Sequence, residues 1–468
     1  MKVCVAATPV SMEPARIFPR HPPLLLASFA ASLRAGGVSV NALDAFLEQL
    51  SVESAADRIA RQAPDAVVLM PNDVARETPP GVTVALAARL KDLGIPCVLV
   101  AGVGDARFLR CLVEEGAAID AAFLGDPEAL VTALLGALEQ GAGEALRRVP
   151  GAMVRGVAGV PAPARASDLD ALPIAAWDLL DLSRYVVLPH RRGEPASYPI
   201  LASRGCWWNR CAFCQDLACV KSSDYRVRSP ESVAAEMQEA ARRLGTTHFL
   251  FHDAVFPAGS EWLERFRSAL ARSRFAPRWF CMCRADAVSR QVLLSMKSCG
   301  ATGVAYGLES GSPEILVRMN KGHDVETGRR AVALTREAGL DPAATFVFGF
   351  PGETPALARE TVELACSLPL AFAQFLLVKW HQVPEAWLGD GTLVEDWDLS
   401  QFDYRGMVFV PSAYGTLGRL RFARSYAYAR FYARPRYVLG MAAKVRSLHD
   451  ARRYVDGART LVSAILNR

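Results

Sequence analysis

Apolar runs alternate with amphipathic stretches along residues 1–140. The run at 2–7 predicts a buried strand, and the apolar positions from Pro23 to Ala35 recur at helical spacing before two glycines. The same reading predicts strands at 2–7, 38–43, 65–70, 96–101 and 121–124, and helices at 23–35, at 81–93 and from near Pro127. Strands separated by helices predict an α/β fold with a Rossmann-like, doubly wound parallel sheet, whose ligand lies beyond the carboxyl ends of the strands.

A second alternating series begins near residue 196, after a segment rich in Gly, Ala, Arg and Pro. Its predicted strands are 199–203, 247–251, 279–282, 303–306, 344–348 and 375–378, and its predicted helices are 230–243, 260–272, 289–298, 312–318, 325–338 and 355–367. Six such units predict a partial, TIM-like (β/α)6 barrel, with its chemistry at the carboxyl ends of the strands. The tail from Leu417 reads as helical and rich in Arg and Tyr.

These patterns divide the chain into four predicted segments. They are an N-terminal sheet domain at 1–140, a linker at 141–195, the barrel at 196–385 and a mainly helical C-terminal extension at 386–468.

Composition narrows the class of protein. With 51% hydrophobic and 22% charged residues, the chain can bury a large core and is not disordered. Its 53 Lys+Arg against 48 Asp+Glu are spread along the chain, which does not indicate a nucleic-acid surface. No apolar run approaches the roughly 20 residues that span a bilayer, and the start lacks the pattern of a signal peptide. We therefore expect a cytoplasmic protein with no membrane span and with reduced thiols.

Three cysteines follow the first strand of the barrel series closely. Cys206, Cys211 and Cys214 lie within the segment RGCWWNRCAFC at 204–214. Three thiolates can hold a four-iron four-sulfur (4Fe-4S) cluster and leave one iron open to another ligand. A zinc site is the alternative, with Cys219 as a fourth ligand. The other cysteines of the barrel show no spacing typical of a second cluster and are expected to be buried thiols: Cys281, Cys283, Cys299 and Cys366.

The cysteine segment and the motifs after it resemble the radical S-adenosylmethionine (SAM) superfamily, and within it the subgroup with an N-terminal cobalamin-binding domain. The family usually has three residues between the first two cysteines, whereas four separate Cys206 from Cys211 here. The supporting motifs, in the family's order, are YRVRSP at 225–230, FHDAVF at 251–256, RAD at 284–286, GLESG at 307–311, MNKG at 319–322 and GFPGET at 349–354.

The resemblance implies a SAM site at the strand ends of the barrel. SAM would bind the open iron through its amino and carboxylate groups. Asp253 would accept from the ammonium group, Arg284 would pair with the carboxylate, and Glu309 would accept from the ribose hydroxyls or the ammonium group. Three further residues would flank the adenine, namely Phe213, Phe348 and Gly349.

The resemblance also implies cobalamin on the N-terminal sheet, with Gly102 and Gly125 in the loops at its ligand edge. The chain has no Asp-x-His-x-x-Gly motif, so a bound cobalamin would have no histidine of the protein beneath cobalt. A domain that has lost this cofactor remains the alternative.

The implied activity is reductive cleavage of SAM to a 5'-deoxyadenosyl radical, hydrogen abstraction from an unactivated carbon, and methyl transfer to that carbon from methylcobalamin. A radical cyclase, rearrangement or oxidation enzyme is an alternative, and a noncatalytic sensor is another. The implied partners are a small-molecule or peptide substrate and a reductant such as flavodoxin or ferredoxin. Four residues after the sixth barrel strand either line a substrate pocket or close the barrel: Trp380, His381, Trp387 and Trp397.

Overall fold

Two six-stranded sheets organise the described part of the chain. This computed structural model describes residues 1–9, 22–73, 76–77, 80–104, 106–185, 197–214, 225–379, 383, 385–396, 406–442 and 445. The strands are β1 (Lys2–Ala7), β2 (Ser39–Asp44), β3 (Ala66–Met70), β4 (Asn72–Asp73), β5 (Arg76–Glu77), β6 (Cys97–Val103), β7 (Ala121–Leu124), β8 (Ala152–Met153), β9 (Tyr198–Ile200), β10 (Ser203–Arg204), β11 (Arg226–Val227), β12 (His248–Phe251), β13 (Arg278–Cys283), β14 (Ala301–Glu309), β15 (Asp341–Phe348), β16 (Phe372–Leu377), β17 (Gly391–Asp396) and β18 (Gly406–Pro411). The helices are α1 (Leu24–Ala35), α2 (Val52–Ala60), α3 (Pro80–Asp92), α4 (Ala106–Glu115), α5 (Val131–Glu139), α6 (Pro230–Leu244), α7 (Ser260–Arg272), α8 (Arg290–Ser298), α9 (Pro313–Arg318), α10 (Val325–Glu337), α11 (Pro355–Ser367), α12 (Leu417–Tyr432) and α13 (Pro435–Ala442).

The N-terminal sheet has the strand order β2-β1-β3-β6-β7-β8. Its first five strands are parallel, and β8 pairs antiparallel with β7 at the edge. The order reverses between β1 and β3, which makes this a doubly wound sheet with a ligand edge at the carboxyl ends of its strands. Separate buried apolar clusters cover its two faces. The predicted Rossmann-like sheet is confirmed, and α2 and α4 are additional helices that the sequence analysis did not predict.

The second sheet runs β9-β12-β13-β14-β15-β16, and all its pairs are parallel. It forms the predicted partial barrel, with helices α6 to α11 beginning and ending within a residue or so of the predicted bounds. Local sequence explains this agreement. In α6, for example, the Ser229 side chain accepts from the Ser232 N–H, Pro230 occupies the first helical position, and Gly245 ends the helix in the left-handed region.

The C-terminal extension differs in part from the prediction. It contains an antiparallel hairpin of β17 and β18 before the expected helices α12 and α13. The Tyr428 and Tyr432 hydroxyls of α12 hydrogen-bond the backbone of β16, so this helix packs on the last barrel strand. Within the described ranges, no helix combines the length and apolar character needed to cross a membrane.

The first helix also contributes to the barrel core. Leu24 and Ala27 of α1 belong to the same buried apolar cluster as Trp177 and Tyr198. The Ala176 N–H donates to the Ala27 carbonyl at 2.9 Å, which fixes the segment between the two sheets onto this helix. The two sheets are therefore joined by shared core packing as well as by the chain.

Candidate functional site

The three cysteines lie on the loop that leaves the first barrel strand. This loop starts at β10, which pairs antiparallel with β11. Cys211 is buried, whereas Cys206 and Cys214 are half-buried. Burial raises the pKa of the Cys211 thiol, and the neighbouring Lys321 ammonium acts in the opposite direction. Three cysteines on one loop match in number the protein ligands of a 4Fe-4S cluster with one open iron, although their side chains are not gathered into a metal-binding group in this structure.

Two tryptophans between the first two cysteines hold this loop against the barrel. The Arg284 guanidinium lies 5.0 Å from the ring centre of Trp207 and 4.9 Å from that of Trp208. Such cation–π contacts stabilise both the arginine and the rings. The Trp208 indole N–H also donates to the Asn320 carbonyl at 2.9 Å. The segment between Cys206 and Cys211, which is one residue longer than the family's usual spacing, thus contacts the barrel through Trp207 and Trp208.

The turn at 319–322 completes this contact. The Asn320 side-chain amide donates to the Arg210 carbonyl at 2.9 Å, and the Ala212 N–H donates to the Met319 carbonyl at 2.8 Å. Gly322 has φ +78°, and a Cβ there would lie 2.1 Å from the Trp208 ring. A residue other than glycine would have to displace the tryptophan as well as adopt a strained backbone conformation.

Arg284 is almost fully buried and makes a two-point ion pair within its own motif. Its Nε and Nη2 donate to the two carboxylate oxygens of Asp286 at 2.9 and 2.8 Å, and Nη2 also donates to the Lys321 carbonyl. The structure therefore places Arg284 beside the cysteine loop with Nε and Nη2 committed to protein acceptors. Its pairing with a SAM carboxylate stays a prediction.

Glu309 forms a buried ion pair with Lys321 at the end of β14. The Lys321 Nζ lies 2.9 Å from Glu309 Oε1, and both side chains are 9% exposed. Burial opposes the charged form of Lys321, but its attraction to Glu309 and Cys211 outweighs that effect and raises the pKa. Glu309 has φ +63° and follows an irregularity in the β14–β15 register. Strained backbone of this kind is typical of functional sites.

Asp253 points toward the strand that leads into the cysteine loop. Its carboxylate accepts from the Ala202 N–H at 3.0 Å and from the Ser203 hydroxyl at 2.6 Å. Complete burial raises the pKa of Asp253 to about 7, although these hydrogen bonds act in the opposite direction. The predicted contact of Asp253 with the SAM ammonium group is not tested by this arrangement.

The three residues predicted to flank adenine lie in different surroundings. The Phe213 ring lies 5.8 Å from Lys321 Nζ and makes an edge contact with Phe350. The Phe348 side chain is fully buried in the barrel core, so it is the backbone following this residue that lies at the strand end. The Gly349 N–H donates to Glu353 Oε2 at 2.6 Å, and the Tyr414 hydroxyl donates to the same oxygen.

The two glycines assigned to cobalamin both lie at the carboxyl edge of the N-terminal sheet and have positive φ, +73° for Gly102 and +108° for Gly125. A Cβ at Gly125 would lie 2.2 Å from the Ala164 carbonyl oxygen, so a close approach of the chain itself requires glycine there. The acids that follow, Asp126 and Glu128, turn toward the barrel and pair with Arg204.

Several sequence predictions fall outside the described residues: Cys219, Trp380, His381 and Trp397. Trp387 is described, and it contacts the Phe350 ring and Arg318. Cys281, Cys283 and Cys299 are buried as predicted, whereas Cys366 is half-buried. Among the described residues, no three His, Cys, Asp or Glu side chains are grouped so that they could hold a metal ion.

The family of the barrel follows from comparison with known proteins. Residues 200–365 match the model of the radical SAM superfamily. This part of the chain is therefore a radical SAM domain. The matched range includes the three cysteines and the strand ends that carry Asp253, Arg284, Glu309 and Gly349, and the predicted 4Fe-4S cluster and SAM are the cofactors that a radical SAM domain implies.

Two curated relatives match most of this chain. An uncharacterised methyltransferase of Pyrococcus horikoshii is 26% identical over 391 residues, which is 83% of this chain and 82% of the relative. An anaerobic magnesium-protoporphyrin IX monomethyl ester cyclase of Rubrivivax gelatinosus is 25% identical over 411 residues, covering 85% of this chain and 72% of the cyclase.

Solved structures share the fold over both sheets. The radical SAM methyltransferase TsrM of Kitasatospora setae, with cobalamin and a [4Fe-4S] cluster bound, superposes with a TM-score of 0.67 at 18% identity, covering 98% of this chain and 99% of TsrM. The cobalamin-dependent SAM radical enzyme OxsB gives a TM-score of 0.60 at 17% identity and covers 78% of this chain and 52% of OxsB.

Two residues to which the sequence analysis assigned no role lie beside the predicted site residues in the structure, Lys321 and Trp208. Lys321 stands in the quoted segment MNKG at 319–322, but nothing in the local pattern indicates that it pairs with Glu309. Trp208 occupies the longer cysteine spacing, which was the signal that this loop differs from the usual one. The Trp208–Asn320 contact joins residues 112 positions apart and the Glu309–Lys321 contact joins residues 12 positions apart, across a strand end and a turn, so the fold is needed to bring each pair together.

Proposed function

We propose that this radical SAM protein is a cobalamin-dependent enzyme that abstracts hydrogen from an unactivated carbon and transfers a methyl group to it. The observation that carries the proposal is the contact between the two sheets. Glu128, on the loop at the ligand edge of the N-terminal sheet, pairs with Arg204, two residues before Cys206. A corrin on that edge would therefore lie on the side of the sheet that faces the cysteine loop.

The Glu309–Lys321 pair is suited to an amino-acid zwitterion. SAM carries an ammonium and a carboxylate on one carbon, so its ammonium group can replace Lys321 at Glu309 while its carboxylate accepts from Lys321. This exchange keeps every buried charge paired, which is the condition for binding ions in a dry site. Arg284 provides a second cation nearby, and its contact with the Lys321 carbonyl holds the turn at 319–322.

When bound, the cluster supplies the electron that cleaves SAM, and cobalamin carries the methyl group. Cys206, Cys211 and Cys214 would hold the cluster, and the contacts of Trp208 would keep their loop in place. An external reductant such as flavodoxin or ferredoxin would deliver the electron. The protein's own contribution is to orient a small-molecule or peptide substrate and to exclude water from the radical.

Anaerobic reconstitution tests the cluster assignment. Cys206→Ala, Cys211→Ala and Cys214→Ala should each abolish the cluster spectrum and the formation of 5'-deoxyadenosine under reducing conditions, because alanine cannot ligate iron. The half-buried Cys366 gives the matched control, and Cys366→Ala should retain both signals. Loss of the cluster in Cys366→Ala with retention in the other three variants would contradict the ligand assignment.

Cobalamin retention tests the N-terminal sheet. Protein supplied with hydroxocobalamin should retain about one equivalent, as one site per domain implies, and its Co(II) electron paramagnetic resonance (EPR) spectrum should lack coupling to an axial histidine nitrogen. Gly102→Gln should abolish retention by placing a side chain at the ligand edge. Gly94→Gln is the control, because Gly94 has a similar φ of +83° but precedes β6 at the opposite edge. Equal retention by both variants would reject this site.

Methyl-labelled SAM distinguishes the methyltransferase from the second candidate. Labelled product together with 5'-deoxyadenosine and S-adenosylhomocysteine is expected, because one SAM supplies the radical and another remethylates cobalt. The relative named as a cyclase, which matches 85% of this chain, favours a radical reaction without methyl transfer as the alternative. An unmethylated product formed with 5'-deoxyadenosine would support that alternative.

A further inference from the structure

Four charged side chains, three of them almost fully buried and Arg226 14% exposed, form a cluster between the two sheets, and we call it the acid–arginine cluster. Its acids, Asp126 and Glu128, follow β7 of the N-terminal sheet. Its arginines, Arg204 and Arg226, are directly paired residues of β10 and β11. Arg204 Nη1 and Nη2 donate to the two Glu128 oxygens at 2.9 and 2.7 Å, and Arg204 Nη1 also lies 3.1 Å from Asp126 Oδ1.

The second arginine closes the cluster. Arg226 Nη1 donates to Asp126 Oδ2 at 2.6 Å and to the Ala166 carbonyl. The Ala166 N–H donates back to the same Asp126 oxygen at 2.9 Å. Two acids and two arginines thus share one set of hydrogen bonds, and the segment around residue 166 is held in it.

The cluster is shielded from solvent where it meets the cysteine loop. The Arg204 and Glu128 side chains are 3% and 0% exposed, and Asp126 is 5% exposed. Ion pairs at this depth are screened little by salt and fix geometry, since either partner alone would be an unpaired buried charge. Only Gly205 lies between Arg204 and Cys206, so the position of this arginine sets where the cysteine loop begins.

We propose that Glu128 and Asp126 are positioning residues for Cys206, so that a loop of the N-terminal sheet holds the start of the cysteine loop through Arg204. The acids at the ligand edge of the N-terminal sheet thereby fix the position of the Cys206 thiol at the start of the cysteine loop of the barrel. The consequence for a 4Fe-4S cluster rests on the proposed function, but the positioning of the Cys206 thiol does not.

Alkylation of the cluster-free protein tests the positioning directly. Anaerobic protein is pulsed with iodoacetamide, and the rate at each cysteine is read by mass spectrometry of its peptide. In Glu128→Gln and in the milder Arg204→Lys, the rate at Cys206 should rise at least fivefold. The rates at two half-buried cysteines elsewhere, Cys111 and Cys366, should stay within twofold of the wild-type values.

Two control variants separate this effect from general loosening. Glu236→Gln removes an acid that pairs with Arg228 inside the barrel, and Asp178→Asn breaks an exposed pair with Arg34 between the two parts of the chain. Both should leave the Cys206 rate unchanged. A folded Glu128→Gln or Arg204→Lys protein with the wild-type rate at Cys206, or an equal rise in Glu236→Gln, would overturn the proposal.

Reconstituted protein then extends the test. Glu128→Gln should lose iron to a chelator at least fivefold faster than wild type, with an altered EPR spectrum of the reduced cluster. Wild-type protein that forms no cluster would refute the proposed function, while the alkylation result would still decide the role of Glu128. Faster alkylation at Cys206 with unchanged iron loss would limit the positioning effect to protein without the iron–sulfur cluster. That result would overturn the extension of the proposal to the iron site.

Discussion

Lys321→Met should destabilise the barrel strongly because it leaves the Glu309 carboxylate unpaired in a buried site. The two charged atoms lie 2.9 Å apart, and Coulomb attraction at that distance amounts to about 6 kcal/mol with an effective dielectric constant of about 20. Part of this offsets desolvation, so removing one partner is expected to cost about 3–5 kcal/mol of the free energy of unfolding. Glu309→Gln in the same protein should recover most of that loss.

A double-mutant cycle measures the pair. Urea unfolding of cluster-free wild type, Lys321→Met, Glu309→Gln and the double variant gives the coupling energy, expected to be at least about 2 kcal/mol. The matched pair is Arg336–Asp341, whose separation of 2.8 Å in the same barrel is nearly equal but whose side chains are both 46% exposed. Its cycle should give less than about 1 kcal/mol.

The same variants report on SAM. If the ion pair receives the zwitterion, Lys321→Met should weaken equilibrium SAM binding by about tenfold or more, because the SAM carboxylate loses a charged partner. Arg336→Met should bind SAM as wild type does. A coupling energy no larger than that of the exposed pair would refute the stability argument, and unchanged SAM affinity in Lys321→Met would refute the assignment of Lys321.

Three further predictions concern single positions. Burial raises the pKa of Glu353 from 4.5 to about 7. The wild type should therefore lose stability relative to Glu353→Gln as the pH rises between these values, by about 3 kcal/mol in all. Urea unfolding across that pH range measures the difference, and a pH-independent difference would contradict the prediction. Gly322→Ala should cost more stability than Gly245→Ala, because both have positive φ but only Gly322 contacts a ring, and tryptophan fluorescence should change in the former alone; equal costs would count against the Trp208 contact. Asp253→Ala should keep the cluster spectrum while weakening SAM binding by about tenfold or more, through loss of an acceptor for the ammonium group; unchanged SAM affinity would remove Asp253 from the site.

Local patterns accounted for the barrel well because its helices carry their own start and stop signals. Ser229 and Thr354 cap helices that begin with proline, and the structure begins those helices at the next residue. The helix α2 was missed although Val52, Ala55, Ala56 and Ile59 follow helical spacing and Ser51 caps it. Its run of small and charged residues gave a weaker apolar signal than that of its neighbours.

Contacts between distant residues could not be read from local sequence. Asp253, Arg284 and Glu309 do lie at strand ends, but the contact of Arg284 with the Lys321 carbonyl and the pairing of Glu309 with Lys321 were not indicated by the sequence. The Gly125–Glu128 loop was interpreted as a ligand loop, and the structure adds a contact between its Glu128 and Arg204, 76 residues further along. Spacing predicts which residues share an edge of a sheet, whereas the partner of each charge depends on how the sheets pack.

The helix α1 bears on how this protein can be taken apart. Because Leu24 and Ala27 lie in the core of the barrel, a fragment that starts at the barrel would expose the apolar surface that these residues cover. Cutting the chain between the sheets therefore removes, together with the N-terminal sheet, the α1 side chains that pack in the core of the barrel. Exchange of the N-terminal sheet between relatives, whether by recombination or in the laboratory, would succeed only where the incoming helix presents side chains of matching shape at these two positions.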